Sequence, residues 1–167
     1  MTKTTKVAYV FPGQGSQFPG MGRELYDNFT SSRAIFQQAD EVLKFPLSRL
    51  CFEGPEEELR LTINAQPALV TVSFAYLKAI SEITGTNKLP PPAFMAGHSL
   101  GEYTALAAAD VIDFTTVVYL ARERGRLMHE AGLRIPGGMA AIIGLDEILL
   151  NEVCESTDTW ITNFNCP

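Results

Sequence analysis

The sequence predicts an α/β fold with a parallel sheet, and three observations support that prediction. In the first 130 residues, short apolar runs of strand length alternate with longer segments of helical spacing. A chain of 167 residues suffices for one domain with a sizeable core. Hydrophobic residues make up 46% and charged residues 19%, which is typical of a globular protein.

Two apolar runs are predicted to be strands. Val7–Phe11 is a continuous apolar run that stops at Pro12, and we expect it to be a buried parallel strand. A second apolar run covers residues 93–97, after a proline-rich loop.

The segments around these strands show helical spacing. The clearest helix is predicted over Pro67–Ile83, where apolar residues share one stripe. Asn64 is a nearby candidate cap, Pro67 suits the first turn, and Gly85 suits the end. Other helices are predicted at 23–29, 32–44, 100–109 and 113–132, with a short helix start at 56–58.

A proline–glycine break at residues 136–138 divides the chain into residues 1–136 and 137–167. After this break we predict a strand over Met139–Ile143, a helix over Asp146–Glu155 and a strand over Thr159–Phe164.

Charge and cysteine usage exclude several classes of protein. The net charge is −6 and no basic run occurs, so nucleic acid is not expected as a partner. The three cysteines form no zinc pattern with the two histidines, and an odd, sparse count fits a reducing compartment. The first apolar run is too short for a signal peptide, and no run is long enough to span a membrane. We therefore expect a soluble cytoplasmic protein.

Residues 97–101 carry the strongest chemical signal. Gly-His-Ser-Leu-Gly matches the pattern G-x-S-x-G between a predicted strand and a predicted helix, as a nucleophile elbow requires. Ser99 is therefore the candidate nucleophile, and the N–H of Leu100 would face a developing oxyanion. The alternative is a chance match in a glycine-bearing turn.

The loop after the first strand is the second signal. Gly13-Gln14-Gly15 would lie at the carboxyl end of the sheet, on the same edge as the elbow, where ligands bind in open α/β sheets. A backbone N–H from such a loop can complete an oxyanion hole. A plain turn is the alternative, whereas a P-loop is excluded because the Gly-Lys-Ser/Thr sequence is missing.

Arg124 is the third signal, because its helical neighbours are apolar and it is expected to project from a buried stripe. A buried guanidinium needs a partner, and a substrate carboxylate would serve. A structural ion pair or a side chain that reaches water is the alternative. Arg126, with Glu123 and Glu130 at helical spacing, is expected to be a solvated surface residue.

The histidines do not provide an evident general base. His98 adjoins Ser99 in the elbow, where neighbouring side chains point apart, and it is interpreted as a packing or hydrogen-bonding residue that lines the site. His129 lies near a helix C-terminus, a common place for a surface histidine.

Taken together, these motifs resemble those of the malonyl-CoA:acyl carrier protein transacylases. The resemblance spans essentially the whole chain, although single motifs also fit the acyltransferase domains of polyketide and fatty-acid synthases. The matching segments are Val10–Gln17, Gln66–Leu69, Gly97–Tyr103, Arg124-Gly125, Leu127-Met128, Gly138–Leu145 and Asn163–Pro167.

The resemblance implies roles for the matched residues. Ser99 would form a malonyl ester, the N–H groups of Gln14 and Leu100 would form the oxyanion hole, and Arg124 would bind the malonyl carboxylate. Gln66 and Asn163 match motif residues near the family's site. The implied substrate is malonyl-CoA and the implied partner is acyl carrier protein, with no metal or redox cofactor.

The resemblance also implies an architecture. Residues 1–136 would be the N-terminal portion of an α/β-hydrolase-like core, and 137–167 the beginning of an inserted ferredoxin-like subdomain. The family's catalytic histidine follows that subdomain, so we expect a truncated form with exposed apolar surface and a missing C-terminal half as partner. Asp110 departs from the family, in which glycine is common after the elbow helix.

Two other functions stay open. A serine hydrolase such as a thioesterase would use the same elbow, although one for simple acyl chains needs no Arg124. An inactive fragment would act only as a module that binds acyl carrier protein.

Overall fold

The computed structural model describes residues 6–85 and 90–165, and the chain divides into two compact units, Met1–Ile135 and Pro136–Pro167. The described elements of the first unit are β1 (Ala8–Phe11), α1 (Arg23–Asn28), α2 (Thr30–Leu43), α3 (Leu47–Glu53), α4 (Glu56–Arg60), α5 (Thr62–Thr84), β2 (Phe94–Gly97), α6 (Leu100–Ala108) and α7 (Phe114–Arg134). The second unit contains α8 (Glu147–Thr157).

The predicted parallel sheet is confirmed in the first unit. β1 and β2 pair in parallel, with Ala8 opposite Phe94 and Phe11 opposite Gly97. The two strands therefore end at the same edge, which positions the loop after β1 next to the elbow after β2. The expected burial of β1 is wrong except at Phe11, since Val10 is 74% exposed. A strand is buried on both faces only where other elements cover both of them.

The core forms around α5, which packs against α2 and α7. Burial of each large apolar side chain contributes about 1.5–3 kcal/mol to stability. The largest fully buried apolar side chains include Phe36, Leu47, Leu59, Val70, Leu100, Val117 and Val118.

The start of α5 differs from the prediction. The helix begins at Thr62, so Asn64 lies inside it rather than at its cap, and Pro67 follows the first turn. Pro67 has no N–H to donate to the carbonyl of Ile63. The guanidinium of Arg122 replaces that donor at 3.0 Å, which is why the helix continues through the proline.

The helix α3 was not predicted from the sequence. Its buried residues Leu47, Leu50 and Cys51 have helical spacing, but the segment is short. Asp40, near the end of α2, accepts a hydrogen bond from the N–H of Ser48 at 2.8 Å and satisfies the first turn of α3.

The second unit confirms the predicted helix but not the strands. Asp146 caps α8 through the N–H of Ile148 at 2.8 Å. The predicted strands Met139–Ile143 and Thr159–Phe164 are wrong, because neither segment is paired with a strand in the described residues. Apolar character alone does not form a strand, since the backbone hydrogen bonds require a neighbouring strand.

Asp110 ends α6 in a left-handed conformation, with φ of 57°. The N–H of Val111 bonds to Leu106 O at 3.0 Å and that of Asp110 bonds to Ala107 O at 3.1 Å. This arrangement is a Schellman motif, whose left-handed position favours glycine. The backbone thus explains why glycine suits this position.

Asp110→Gly is expected to raise the free energy of unfolding by about 0.5 kcal/mol, because glycine adopts positive φ without steric cost. Asp110→Ala is the matched control and is expected to lower it, since alanine loses the tolerance that aspartate has for this region. Urea unfolding of both variants measures the difference. Equal stability of the glycine and alanine variants would contradict this account.

Burial distinguishes the reactivity of the two cysteines that the structure describes. Cys51 is fully buried, and desolvation raises the pKa of its thiol to about 12, whereas Cys154 is half-buried. The thiolate is the reactive form of cysteine. We expect iodoacetamide at pH 8 to alkylate Cys154 and to leave Cys51 unmodified until the chain is unfolded. Peptide mapping by mass spectrometry tests this, and native labelling of Cys51 as fast as that of Cys154 would contradict it.

Candidate functional site

The turn between β2 and α6 has the geometry of a nucleophile elbow. Ser99 lies at its tip with φ of 52° and ψ of −105°, a conformation that costs a non-glycine residue free energy. Two hydrogen bonds hold the turn, from the N–H of Gly101 to His98 O at 2.9 Å and from the N–H of Glu102 to Ser99 O at 3.2 Å. The exposed serine therefore stands clear of the strand and the helix.

The flanking glycines allow the backbones to meet. A Cβ at Gly97 would lie 1.9 Å from the carbonyl carbon of Gly101, and a Cβ at Gly101 would lie 2.3 Å from Phe11 O. Real Cβ atoms do not approach other atoms this closely, so the helix, the elbow and the end of β1 need glycine at both positions.

The loop after β1 lies directly on the elbow. A Cβ at Gly13 would lie 2.8 Å from His98 O, and the N–H of His98 bonds to Phe11 O at 3.3 Å. Gln14 is the next residue of this loop. Leu100 is the first residue of α6, so its N–H has no acceptor within the helix. The structure thus brings the two predicted oxyanion donors to the same edge of the sheet.

Arg124 reaches the elbow from α7. Its Nη2 donates to Ser99 Oγ at 3.0 Å and its Nη1 donates to Gln66 Oε1 at 2.7 Å. Its guanidinium carbon lies 5.7 Å from the centre of the Tyr103 ring. Among the described residues these partners are all uncharged, so the cation is hydrogen-bonded but not neutralised.

The reason for which we singled out Arg124 is partly wrong. Of its apolar helical neighbours only Ala121 is buried, whereas Leu120, Leu127 and Met128 are 38%, 57% and 43% exposed. Arg124 itself is half-buried. Its place beside Ser99 follows from the packing of α7 on α5 rather than from a buried apolar stripe.

Arg126, two residues further along α7, shows the contrast. It forms ion pairs with Glu123 at 2.8 Å and with Glu130 at 2.7 Å at the surface, consistent with the predicted surface role. The hydrogen bond from Arg126 lowers the pKa of the Glu123 carboxyl, and the two carboxylates raise the pKa of Arg126. Arg126 is therefore neutralised where Arg124 is not.

A chain of side-chain hydrogen bonds connects Arg124 to the loop after β1. Gln66, fully buried, accepts from Arg124 and donates through Nε2 to Thr62 Oγ1 at 2.8 Å. Thr62 Oγ1 in turn donates to Gln14 Oε1 at 2.9 Å. Residues from α5, α7, the elbow and the loop after β1 therefore form one continuous network.

Gly125 explains how the two helices come close enough for this network. A Cβ at Gly125 would lie 2.5 Å from Thr62 O and 2.7 Å from Ile63 Cα. The backbone of α7 thus touches the first turn of α5, which places Arg124 opposite Gln66.

The remaining candidate residues differ in exposure. His98 is exposed in the elbow beside Gly13, His129 is half-buried on α7, and Asn163 is exposed in the second unit. Thr62 and Tyr103 were not identified from the sequence as site residues. Thr62 lies one helical turn before Gln66, and placing the helix start at Pro67 hid that spacing.

An open, mostly apolar cavity of about 330 Å³ lies between β1, the loop after it and α5. Val10, Phe18 and Tyr76 are among its walls, but neither Ser99 nor Arg124 is one of the described residues that line it.

In residues 6–85 and 90–165, no group of three His, Cys, Asp or Glu side chains could hold a metal ion. None of the helices in that part of the chain combines the length and apolar composition needed to cross a bilayer.

Gly101→Ala is expected to destabilise the chain by about 1–3 kcal/mol or more, because the new methyl group must displace the backbone of β1. Gly132→Ala is the matched control: it lies in α7, and a Cβ there meets nothing within 4 Å. We expect that control to be stabilised by up to about 1 kcal/mol through helix propensity. Thermal unfolding measures both, and a Gly101→Ala variant as stable as the parent would contradict the close contact.

Comparison with known proteins identifies one family. The chain matches the acyl transferase domain over residues 8–157. A malonyl CoA-acyl carrier protein transacylase of Bacillus subtilis (strain 168) is 48% identical over 98% of this chain and 51% of the relative. The protein of that name from Salmonella typhimurium is 44% identical over 98% of this chain and 53% of the relative. The chain thus spans about half the length of the curated relatives it matches.

Solved structures agree in fold. The malonyl-CoA:acyl carrier protein transacylase of Helicobacter pylori superposes with a TM-score of 0.82 at 32% identity, covering 92% of this chain and 49% of that one. A malonyl-transacylase in complex with its type II polyketide synthase acyl-carrier protein superposes with a TM-score of 0.77 at 42% identity, covering 91% and 48%. On these matches, this chain belongs to the acyl transferase domain family.

Proposed function

We propose that this chain takes part in the transfer of a malonyl group from malonyl-CoA to acyl carrier protein, through a malonyl ester of Ser99, in fatty-acid biosynthesis. The observation that carries the proposal is the 3.0 Å hydrogen bond between Arg124 Nη2 and Ser99 Oγ. It brings a permanent cation, which has no carboxylate partner among the described residues, to the nucleophile of the elbow. The malonyl group has a free carboxylate, which a guanidinium binds through two parallel hydrogen bonds.

In the first half-reaction, Ser99 Oγ attacks the thioester carbonyl carbon and the carbonyl electron pair moves to oxygen. The N–H groups of Gln14 and Leu100 would stabilise that oxyanion. Collapse of the intermediate breaks the C–S bond, and coenzyme A leaves as a thiol with the proton that Ser99 lost. Arg124 holds the malonyl carboxylate and so fixes the distance between the carboxylate and the reacting carbonyl.

In the second half-reaction, the phosphopantetheine thiol of acyl carrier protein attacks the ester. The ester C–O bond breaks, a C–S bond forms, and Ser99 recovers its proton. Two successive substrates on one covalent intermediate make this a ping-pong mechanism.

The proposed partners are malonyl-CoA, acyl carrier protein and a C-terminal half that supplies the catalytic histidine. Support for the last comes from the length of the relatives, of which this chain spans about half. We also propose that residues 1–136 form part of an α/β-hydrolase-like core and that 137–167 begin a ferredoxin-like subdomain. The cytoplasm stays the proposed compartment, on the sparse, odd cysteine count.

A serine hydrolase is the competing function, since the elbow alone would serve it equally well. The position of Arg124 favours malonyl transfer. A simple acyl thioester has no carboxylate, so its hydrolysis does not require a cation beside the nucleophile.

The intact mass of the chain after incubation with malonyl-CoA tests the proposal. Without the C-terminal half and its histidine, we expect one malonyl adduct to form on the parent chain slowly, at a rate lower by several powers of ten, and none to form on Ser99→Ala. An adduct that forms equally with acetyl-CoA would favour the hydrolase. The absence of any adduct on a folded sample would contradict acyl transfer by this chain alone. The chain would then need the proposed C-terminal half, or would be a module that only binds acyl carrier protein.

Arg124→Ala is expected to lower the rate of malonyl adduct formation by at least about tenfold, because it removes a charged pair of hydrogen bonds, and to spare the reaction with acetyl-CoA. Arg126→Ala is the matched control, since it removes the same charge from the same helix but away from Ser99. Equal losses with both coenzyme A esters would contradict carboxylate binding by Arg124.

A further inference from the structure

We propose that Thr62 is a positioning residue, which orients the Gln66 amide and through it the Arg124 guanidinium for the malonyl carboxylate. The inference rests on the function proposed above and adds to it a residue that contacts neither the nucleophile nor the guanidinium.

The geometry places one hydroxyl between two amide side chains. Thr62 Oγ1 lies 2.9 Å from Gln14 Oε1 and 2.8 Å from Gln66 Nε2. Gln66 Oε1 lies 2.7 Å from Arg124 Nη1. Three hydrogen bonds thus connect the loop after β1 to the guanidinium through Thr62.

The direction of these bonds is set by Arg124, because a guanidinium has donors and no acceptor. Gln66 must therefore present its oxygen to Arg124 and its NH₂ group to Thr62. Since Thr62 Oγ1 accepts from Gln66, its single proton goes to Gln14 Oε1. Each group in the chain has one consistent orientation, and the single hydroxyl of Thr62 both accepts and donates.

Burial makes this orientation matter. Gln66 is fully buried, so water does not replace a lost partner of its amide. Its other contact, from Nε2 to Met128 Sδ at 3.2 Å, uses a weak acceptor. Without the Thr62 hydroxyl, Gln66 Nε2 keeps only the weak sulfur acceptor. The amide is then held less firmly in the orientation that presents Oε1 to Arg124. The guanidinium then loses the neutral partner that holds it beside Ser99.

The same hydroxyl also reaches the proposed oxyanion loop. Its proton holds the side chain of Gln14, and the backbone N–H of Gln14 is one of the two proposed oxyanion donors. Thr62 therefore connects the group that binds the carboxylate to the loop that faces the reacting carbonyl. A malonyl group has a carboxylate for the first and a carbonyl for the second, whereas an acetyl group has only the carbonyl.

The test compares binding of malonyl-CoA and acetyl-CoA by titration calorimetry in a Ser99→Ala background, which prevents acyl transfer. We expect Thr62→Val to weaken malonyl-CoA binding by about tenfold and acetyl-CoA binding by less than about twofold, because only the first uses the oriented guanidinium. Thr62→Ser keeps the hydroxyl and is expected to restore malonyl-CoA binding. Thr71→Val is the matched control, since it removes a hydroxyl from the same helix whose acceptor among the described residues is Pro67 O, at 2.8 Å.

A second measurement separates positioning from loss of folding. In an Arg124→Ala background, Thr62→Val should weaken malonyl-CoA binding no further, because the residue acts through the guanidinium. An equal loss for both esters, or a loss that persists without Arg124, would overturn the inference and leave the proposed function intact. If Arg124→Ala itself leaves malonyl-CoA affinity unchanged, the proposed function fails, and the role of Thr62 fails with it.

Discussion

The contact between the backbones of α7 and α5 at Gly125 is the constraint on which the rest of the site depends. With no side chain at that residue, α7 approaches to where a Cβ would lie 2.5 Å from Thr62 O. Arg122 and Arg124 lie within the helical turn that precedes this contact. One donates to the first turn of α5, and the other donates to Gln66 and reaches Ser99. A larger residue at 125 would separate the helices and withdraw both guanidinium groups.

A second set of backbone contacts holds the other half of the site. Gly97 and Gly101 let α6 lie against the end of β1, and Gly13 lets the following loop lie against His98. The nucleophile and the proposed oxyanion donors are therefore placed by main-chain packing. The backbone of Arg124 is placed by helix packing too, but its guanidinium is oriented by side-chain hydrogen bonds, which can rearrange around a substrate more readily than a packed backbone can.

Local patterns predicted the features that depend on local chemistry. The elbow needs small residues on both sides of Ser99, and the glycines at 97 and 101 predict it. The paired strands and most helices follow from apolar spacing. The start of α5 was misplaced because Pro67 suits a first turn, and only the tertiary contact with Arg122 shows how a helix passes through it.

Features that depend on distant partners could not be predicted in this way. Residues 139–143 have the composition of a strand but no paired neighbour in the described chain, and Ile143 is 93% exposed. Thr62 has no chemical signal of its own, since a threonine on a helix is unremarkable until Gln14 and Gln66 are brought to it by folding. The function of such a residue is a property of the contacts rather than of its type.

The hydrogen bond from Arg122 to Ile63 O has an evolutionary consequence. Proline at 67 removes a helical donor, and arginine at 122 supplies a substitute from another helix, so the two positions form a complementary pair. Loss of Arg122 alone would leave the carbonyl of Ile63 without a donor and would lower the free energy of unfolding by about 1–3 kcal/mol. After replacement of Pro67 by a residue with an N–H, the same loss would no longer leave that carbonyl unpaired, although Asn64 Oδ1 would still lose its donor. Substitutions at these positions should therefore be accepted in a particular order, with the proline changing first.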